Sequence, residues 1–414
     1  MKTDCLVLGA GMVGISAAIH LQKRGRSVAL VDRRGPAEET SYGNAGLIQR
    51  EGVVPYMFPR EWKMILQHAL NRGTDSHYHL SALPRIAPYL FKYWAASTPA
   101  GKAQSTKALA KLVEHCLSEH EALMQAAGIT GMIRRTGYIR ASRSQAKLDA
   151  GRAEDEAIRR EYGITAVSLD AKAIAELEPH LKNGFAGGVH MTDPVSVADP
   201  GAVGRAYAEL FTKLGGRLIE GEARTLQQTS EGHWRVATRT GWAEAPQAVV
   251  ALGPWSDDIT RPLGLRIPLG WKRGYHMHYR TEGNATLGRP VIDSDYGYCI
   301  TPMMQGIRLT TGAEFANRDA PPTPVQLDRV EPKVRDIFPL GARIDAQPWL
   351  GRRPCLPDML PAIGPVPGKK GLWLDFGHHH LGFTLGPVSG RLLAEMMTGE
   401  VPLVDPAPYR TDRF

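Results

Sequence analysis

Glycines at 9, 11 and 14 and an acid at 32 are the residues whose spacing most directly implies chemistry. They lie in CLVLGAGMVGISAAIHLQKRGRSVALVD, residues 5–32. A short apolar run (Cys5 to Leu8) leads into Gly9, Gly11 and Gly14, a helix-patterned stretch follows, and a second apolar run (Val28 to Val31) ends in Asp32. Each part has a job at a diphosphate. Gly9 permits a tight turn out of a strand, Gly11 lets a pyrophosphate approach the backbone, and Gly14 lets the helix pack close to the sheet. The helix N-terminus presents free N–H groups and a positive dipole end. Asp32, about twenty residues beyond the glycines, can accept hydrogen bonds from a ribose 2′-OH. The pattern predicts a dinucleotide site. The bland reading is a Gly-rich turn in another α/β unit.

Two other clusters could do chemistry. Arg352 and Arg353 offer planar guanidinium forks that match a carboxylate and do not titrate away. His378, His379 and His380 look like a metal motif. Three adjacent histidines cannot all face one ion from a regular strand, so no metal is expected.

The elements that must position these groups follow from the pattern. After Asp32 comes a small-residue segment, Glu39 to Gly46, too Gly-rich for a strand and too polar for a core helix. Residues 56–125 read as helical. The spacing from Leu109 to Met124 predicts one core-facing helix ending near Gly128, with His115 and His120 structural or exposed. Leu83 to Trp94, rich in aromatics, reads either as a core helix or as an exposed patch touching a membrane or partner. Residues 145–162 read as a charged surface helix and 200–214 as an amphipathic one. Strands are expected at 137–141, 217–220, 248–253 and 371–376, with a hairpin near 234–237. Residues 267–315 alternate polar and apolar, which suggests an antiparallel sheet. Helices are expected at 325–338 and from Pro387 to Thr398, the latter capped by Gly399.

At 414 residues, two domains are the default. No stretch approaches eighteen apolar residues without a charge. Four scattered cysteines form no CxxC pair and suit a reducing cytoplasm. The chain opens directly on the first strand, so no targeting segment is expected ahead of it. The net charge of +8 is spread in single residues and pairs. That excludes a nucleic-acid tract and leaves a basic solvated surface, or a loose peripheral association with an anionic inner membrane.

Four segments then occur in order: the glycine fingerprint, Thr40-Ser41-…-Asn44-Ala45-Gly46, Trp349-Leu350-Gly351-Arg352-Arg353-Pro354-…-Gly364, and Gly377-His378-…-Gly382-Phe383-Thr384. Together they resemble the FAD-dependent D-amino acid oxidase superfamily over nearly the whole chain. The bacterial D-amino acid dehydrogenases of small-subunit type are nearest, and glycine and sarcosine oxidases are cousins. The resemblance implies an α/β FAD-binding Rossmann-like domain (residues 1–50, 187–262 and 345–414). It implies a second α+β substrate domain on an antiparallel sheet (51–186 and 263–344).

The resemblance also implies roles. Asn44, Ala45 and Gly46 would lie against the isoalloxazine near N5 and O4, and the backbone of Ala223 would meet the adenine. Gly377, His378, Gly382 and Thr384 would feed a final helix whose N-terminus points at flavin N1 and O2, where negative charge develops on reduction. Met12, Val13, Arg33, Thr40, Ser41, Gly253, Gly351, His379 and Leu381 would complete the FAD contacts. Arg353 would hold a substrate carboxylate, with Arg352 as its rival. Tyr275 and Tyr298 would bind that carboxylate or cover the site; each is equally readable as a half-buried sheet aromatic. Cys355 lies too late to carry the flavin, so non-covalent FAD is expected.

The implied reaction passes a hydride from the α-carbon of a D-amino or proline-like D-imino acid to flavin N5. The imine then hydrolyses to a 2-oxo acid and ammonia, and electrons leave to a quinone-like acceptor or oxygen. A glycine- or sarcosine-type oxidase is an alternative that a basic residue near the flavin would favour. A non-catalytic flavoprotein subunit is another.

Overall fold

Apolar runs without alternation become strands buried on both faces. Cys5–Leu8, Val28–Asp32 and Gln247–Val250 lie side by side and parallel, flanked by Arg217–Gln228 and Leu372–Phe376. An antiparallel hairpin, Trp234–Thr238 and Gly241–Ala245, extends one edge, and Ala362–Pro365 extends the other. This computed structural model describes residues 1–414, apart from the side chains of Gln67 and Glu154.

The helix Met12–Lys23 follows the first strand and packs against the last long helix, Gly382–Thr398. Glycine makes the crossing close. A Cβ on Gly390 would lie 2.5 Å from the Ala17 nitrogen, and one on Gly386 would lie 2.7 Å from Met12 Cγ. Contacts advance together along both helices, so the two N-termini end at one edge of the sheet. The last helix begins at Gly382, five residues before the expected Pro387, which lies inside it. Proline lacks an N–H, so it frees the carbonyl four residues earlier. That carbonyl, on Phe383, meets His120 Nε2 at 2.8 Å. His120 is therefore structural.

A second sheet of eleven strands is centred on Gly270–Thr281. That strand pairs antiparallel with Gly306–Thr310, Ala313–Phe315, Leu340–Arg343 and Trp349–Cys355. The helix Val325–Ile337 covers one face, burying Leu327, Val330 and Val334 with Met277 and Tyr279.

Three expectations are corrected. The single helix expected over 109–124 is two, Pro99–Val113 and Cys116–Ala127, broken at Glu114 and His115. Both pack on the Gly382 helix, so they belong to the cofactor layer and not to the second domain. The boundaries at 187 and 345 also move. Gly187–Met191 and Trp349–Cys355 are strands of the second sheet, since backbone pairing and not chain position decides membership.

Gly390→Ala is expected to destabilise the fold by about 1–3 kcal/mol, the usual cost of forcing a side chain into filled space. Denaturant unfolding checks this. An unchanged midpoint would show that the crossing gives way freely.

Candidate active site

A cavity of about 890 Å³ runs from the glycine fingerprint to the second sheet. Its cofactor end is built on Gly9, Gly11, Gly14 and Asp32. Gly9 has φ +103°, and a Cβ there would sit 2.6 Å from the Ala251 carbonyl. A Cβ on Gly14 would sit 1.9 Å from the Gly9 carbonyl oxygen. Protein packing therefore explains these two. Gly11 differs: its backbone, φ −75° and ψ 175°, suits any residue, and its Cβ would meet only Ser41 Oγ at 3.5 Å. Gly11 faces the cavity, so its missing side chain leaves room for a ligand. Asp32 accepts from the backbone N–H groups of Ala10, Arg34 and Gly35 at 2.8–3.1 Å. It pins the glycine turn to the end of the second strand. Arg33 stacks on Trp255 at 4.7 Å.

The Thr40 to Gly46 loop is held from both domains. Ser41 Oγ accepts from Met12 N at 3.0 Å, and Thr40 donates to the Arg352 carbonyl at 3.0 Å. Asn44 Oδ1 accepts from Gly46 N at 2.7 Å. Buried Arg308 donates to the carbonyls of Tyr42 and Asn44, and its Nε donates to His278 Nε2 at 2.9 Å. His278 must then carry its proton on Nδ1, which faces Asp345 at 2.8 Å. A chain from Asp345 through His278 to Arg308 thus fixes the loop. Gly43 lies flat on Trp349, whose ring a Cβ would strike at 1.8 Å.

The far end of the cavity is sorted by strand register. Side chains alternate along a strand, and residues directly opposite share a face. Lys272 lies opposite Arg353, Gly274 opposite Gly351, and His276 opposite Trp349. Of these, Lys272, Gly274, Trp349, Gly351 and Arg353 line the cavity. Arg273, Tyr275, Met277 and Tyr279 face the other way. Arg352, opposite Arg273, turns to the Arg318 carbonyl at 2.8 Å and Asp319 at 3.9 Å.

Arg353 points across the cavity wall to the carbonyl oxygens of Gly312 at 2.9 Å and Thr311 at 3.1 Å. Among the described residues no carboxylate pairs with it or with Lys272. Burial holds both below their ordinary ranges, and Arg353 lowers Lys272 further. Lys272 Nζ donates to Tyr93 OH at 2.7 Å.

The expected tyrosines engage their hydroxyls elsewhere. Tyr275 OH meets Glu314 at 3.0 Å and accepts from Arg273 at 3.1 Å and from Thr323 N at 2.7 Å. Tyr298 OH accepts from Arg143 at 3.0 Å. Both line the cavity, yet both hydroxyls are spent in the sheet's other layer, which corrects their expected contact with a carboxylate. Tyr56 stands at the cavity instead, 66% exposed, its ring 4.9 Å from that of His380.

The three histidines diverge. His378 Nε2 meets Ser389 Oγ at 3.1 Å, and Ser389 donates to buried Asp375 at 3.0 Å. Burial pushes His378 down to about 3 and Asp375 well up. His379 and His380 face each other, Nδ1 to Nδ1, at 3.0 Å.

Of the remaining expected cofactor residues, Met12, Val13, Ala45, Ala223, Gly253, Gly351 and Gly382 line the cavity. Gly14, Gly46, Gly377, Leu381 and Thr384 do not, and act through the backbone or the core. Thr384, for example, accepts from Gln49 N at 3.2 Å and donates to the Leu47 carbonyl at 3.3 Å. Lys272 had a signal in sequence: Lys272, Gly274, His276 and His278 form the non-hydrophobic half of an alternating strand. Tyr56 and Arg308 had none.

A nucleotide cradle at two converging helix N-termini, open to a cation-lined cavity under an antiparallel sheet, defines a dinucleotide-dependent oxidoreductase. Residues 4–396 match the family of FAD dependent oxidoreductases, to which the chain belongs, and its cofactor is FAD. The chain is 30% identical to a D-amino acid dehydrogenase of Chromohalobacter salexigens, over 99% of each protein. It is 29% identical to a D-amino-acid oxidase of Bradyrhizobium diazoefficiens, over 99% of this chain and 98% of the other. Glycine oxidase from Geobacillus kaustophilus shares the fold at TM-score 0.74 and 20% identity, covering 100% of this chain and 99% of that one.

Gly11→Val should leave unfolding unchanged and abolish most flavin binding. The purified variant's visible absorbance tests this; full flavin occupancy would remove Gly11 from the cradle.

Proposed function

We propose that the protein oxidises a D-amino or D-imino acid, and one observation carries this: Arg353 is a cation in the cavity wall with carbonyl partners and no acid. A guanidinium without a counter-charge is the arrangement that a substrate carboxylate completes. Arg273 shows the contrast, since Glu314 lies 2.7 Å from its Nε and saturates it. The D-configuration is supported by the names of the two relatives.

FAD, when bound, supplies a two-electron acceptor. The Met12 helix N-terminus, with Gly11 and Ser41, would hold its diphosphate. The loop fixed by Arg308 would meet its ring. Non-covalent binding is supported by Cys355, whose buried Sγ points to the Arg353 carbonyl at 3.6 Å and whose thiol burial pushes up. Arg353 would anchor the carboxylate and so orient the α-C–H. The substrate leaves as an imine, which water hydrolyses to a 2-oxo acid and ammonia, or to an amine if the nitrogen is secondary.

The electron acceptor in this reading is a quinone-like molecule reached at a membrane. No helix of the described residues is long and apolar enough to cross a membrane. The segment 60–94, however, exposes Trp62, Leu66, Leu70, Leu80 and Phe91, each more than half accessible. Arg60, Lys63, Arg72, Arg85 and Lys92 surround them, against Glu61 and Asp75. Large exposed apolar groups among cations suit an anionic bilayer surface. Ile65, Leu83 and Leu90 of the same segment line the cavity, so the patch is continuous with the site. The expected core helix and exposed patch are one element: Leu83–Ala96 buries Ile86, Tyr89 and Tyr93 and exposes Phe91.

A second reading, an amine oxidase passing electrons to oxygen, is favoured by Lys272, the basic residue that such a site calls for.

Anaerobic mixing with D- and L-amino acids, D-proline, glycine and sarcosine should bleach the flavin with D-substrates only, and air should restore the colour slowly. Bleaching by glycine or sarcosine alone, or fast recolouring, would move the protein to the second reading. Arg353→Gln should raise the D-substrate concentration needed by at least about thirtyfold, given the roughly 2 kcal/mol or more lost when a buried charge pair is broken. Vesicles containing phosphatidylglycerol should sediment the protein at low salt, and Trp62→Glu with Leu66→Glu should abolish this. Equal sedimentation of the double variant would remove the patch from membrane contact.

A further inference from the structure

We infer that His380 is the base that accepts the ammonium proton of the substrate, with His379 as its positioning partner. The inference rests on the amino-acid reading above and names a step which that reading leaves open. An α-amino group is protonated near neutral pH, and a hydride leaves the α-carbon only when the nitrogen has a lone pair to share. Something must take that proton.

The geometry singles out one imidazole. His380 lines the cavity beside Tyr56 and makes its one protein hydrogen bond through Nδ1. Among the described residues Nε2 has no hydrogen-bond partner, and it is not enclosed. It is therefore free to meet a ligand. His379 is its opposite: 2% exposed, with an enclosed Nε2 that finds no partner. Its Nδ1 faces His380, and the Met359 backbone also bonds its ring. A base whose second nitrogen is held by a fixed neighbour is the usual form of an oriented proton acceptor. When His380 takes a proton on Nε2, its Nδ1–H donates to His379 Nδ1, which spreads the charge.

The backbone supports the same reading. His379 has φ +45°, in the left-handed region. A bulky residue rarely adopts that conformation, and such strain gathers at functional sites. Here it turns two consecutive imidazoles toward each other, which an extended strand would place on opposite faces.

Charge fits too. The groups facing His380 are Tyr56 from the preceding loop, Lys272 and Arg353 from the paired strands, and His379 beside it. Burial, then Arg353, then Lys272 push His380 down to about 3, so it waits neutral. A carboxylate on Arg353 cancels one of those cations and raises the affinity of His380 for a proton only once substrate is in place. The step balances: one proton moves from the ammonium to Nε2, leaving a neutral amine whose hydride is then lost. No other co-reactant is needed.

The test is anaerobic flavin bleaching of holoenzyme by D-proline and by D-alanine from pH 6 to pH 10. In the unmodified protein the rate should vary little over this range for either substrate, because His380 is already neutral and takes the proton itself. His380→Gln should be about 10²-fold slower at pH 7. It should regain rate tenfold per pH unit as the free amine becomes abundant. Benzoate, a carboxylate without an amine, should still perturb its flavin spectrum, which shows the pocket intact. A variant rate within threefold of normal at pH 7 would overturn the inference. If the variant does not hold flavin, the unmodified enzyme decides: a pH limb that tracks each substrate's own amine basicity would overturn it. No bleaching of the unmodified protein by any of the panel would sink the amino-acid reading, and this inference with it. A variant profile as flat as that of the unmodified protein would sink only the inference.

Discussion

The register between Gly270–Thr281 and Trp349–Cys355 is the constraint on which the site depends. Backbone pairing puts Lys272 opposite Arg353, and side-chain alternation does the rest. One face of the strand pair collects Lys272, Arg353 and Trp349 around the cavity. The other buries Met277 and Tyr279 against the Val325–Ile337 helix and brings Arg273 and the Tyr275 hydroxyl to Glu314. A slip of one residue would exchange the two sets. It would bury unpaired cations in the apolar layer and empty the cavity wall. The apolar cluster of Met277, Tyr279, Leu327, Val330 and Val334 therefore sets the chemistry of a face it never touches.

The cofactor half depends on a second close contact. The Met12 and Gly382 helices meet through Gly386 and Gly390, which brings both N-termini to the same edge of the parallel sheet. Two positive dipole ends, a Gly11 without a side chain and the loop held by Arg308 then surround one volume. These parts come from four distant stretches of chain. The Asp345–His278–Arg308 chain joins the second sheet to the loop on the first, so that loop and the strand pair that carries Arg353 are set by one connected network.

The cavity is held in an unbalanced state of charge. Among the described residues Arg353 and Lys272 have no acidic partner, and burial lowers the proton affinity of both. A desolvated cation without a partner is costly, and the proposed substrate carboxylate would complete it. His379 and His380 are kept neutral by the same field. The binding of a carboxylate would relieve the cations and awaken the imidazole in one event, which couples recognition to proton transfer.

Much of this was legible in the sequence. The glycine fingerprint, Asp32, the parallel strands and the alternation over 267–315 are local patterns. Each reflects a constraint that acts within a few residues: a positive φ at Gly9, a buried apolar run, a period of two. The resemblance carried the ordered motifs as far as the family. The roles of Arg352 and Arg353 were not legible, because two neighbours on a strand differ only in which face the pairing partner assigns them. Tyr275 and Tyr298 were placed at the substrate for the same reason, and alternation turns their hydroxyls away. The start of the last helix was hidden by Pro387, whose cost is met by His120, a residue 267 positions earlier in the chain. Tyr56 and the facing pair His379 and His380 came from tertiary structure alone. Their positions depend on a loop packed across the cavity and on one left-handed residue, and no periodicity encodes either. The sequence by itself thus determined a dinucleotide site and the class of fold, which rest on local backbone geometry, while the resemblance named FAD. Tertiary structure decided which charges face the substrate, because that follows from pairing between strands some eighty residues apart.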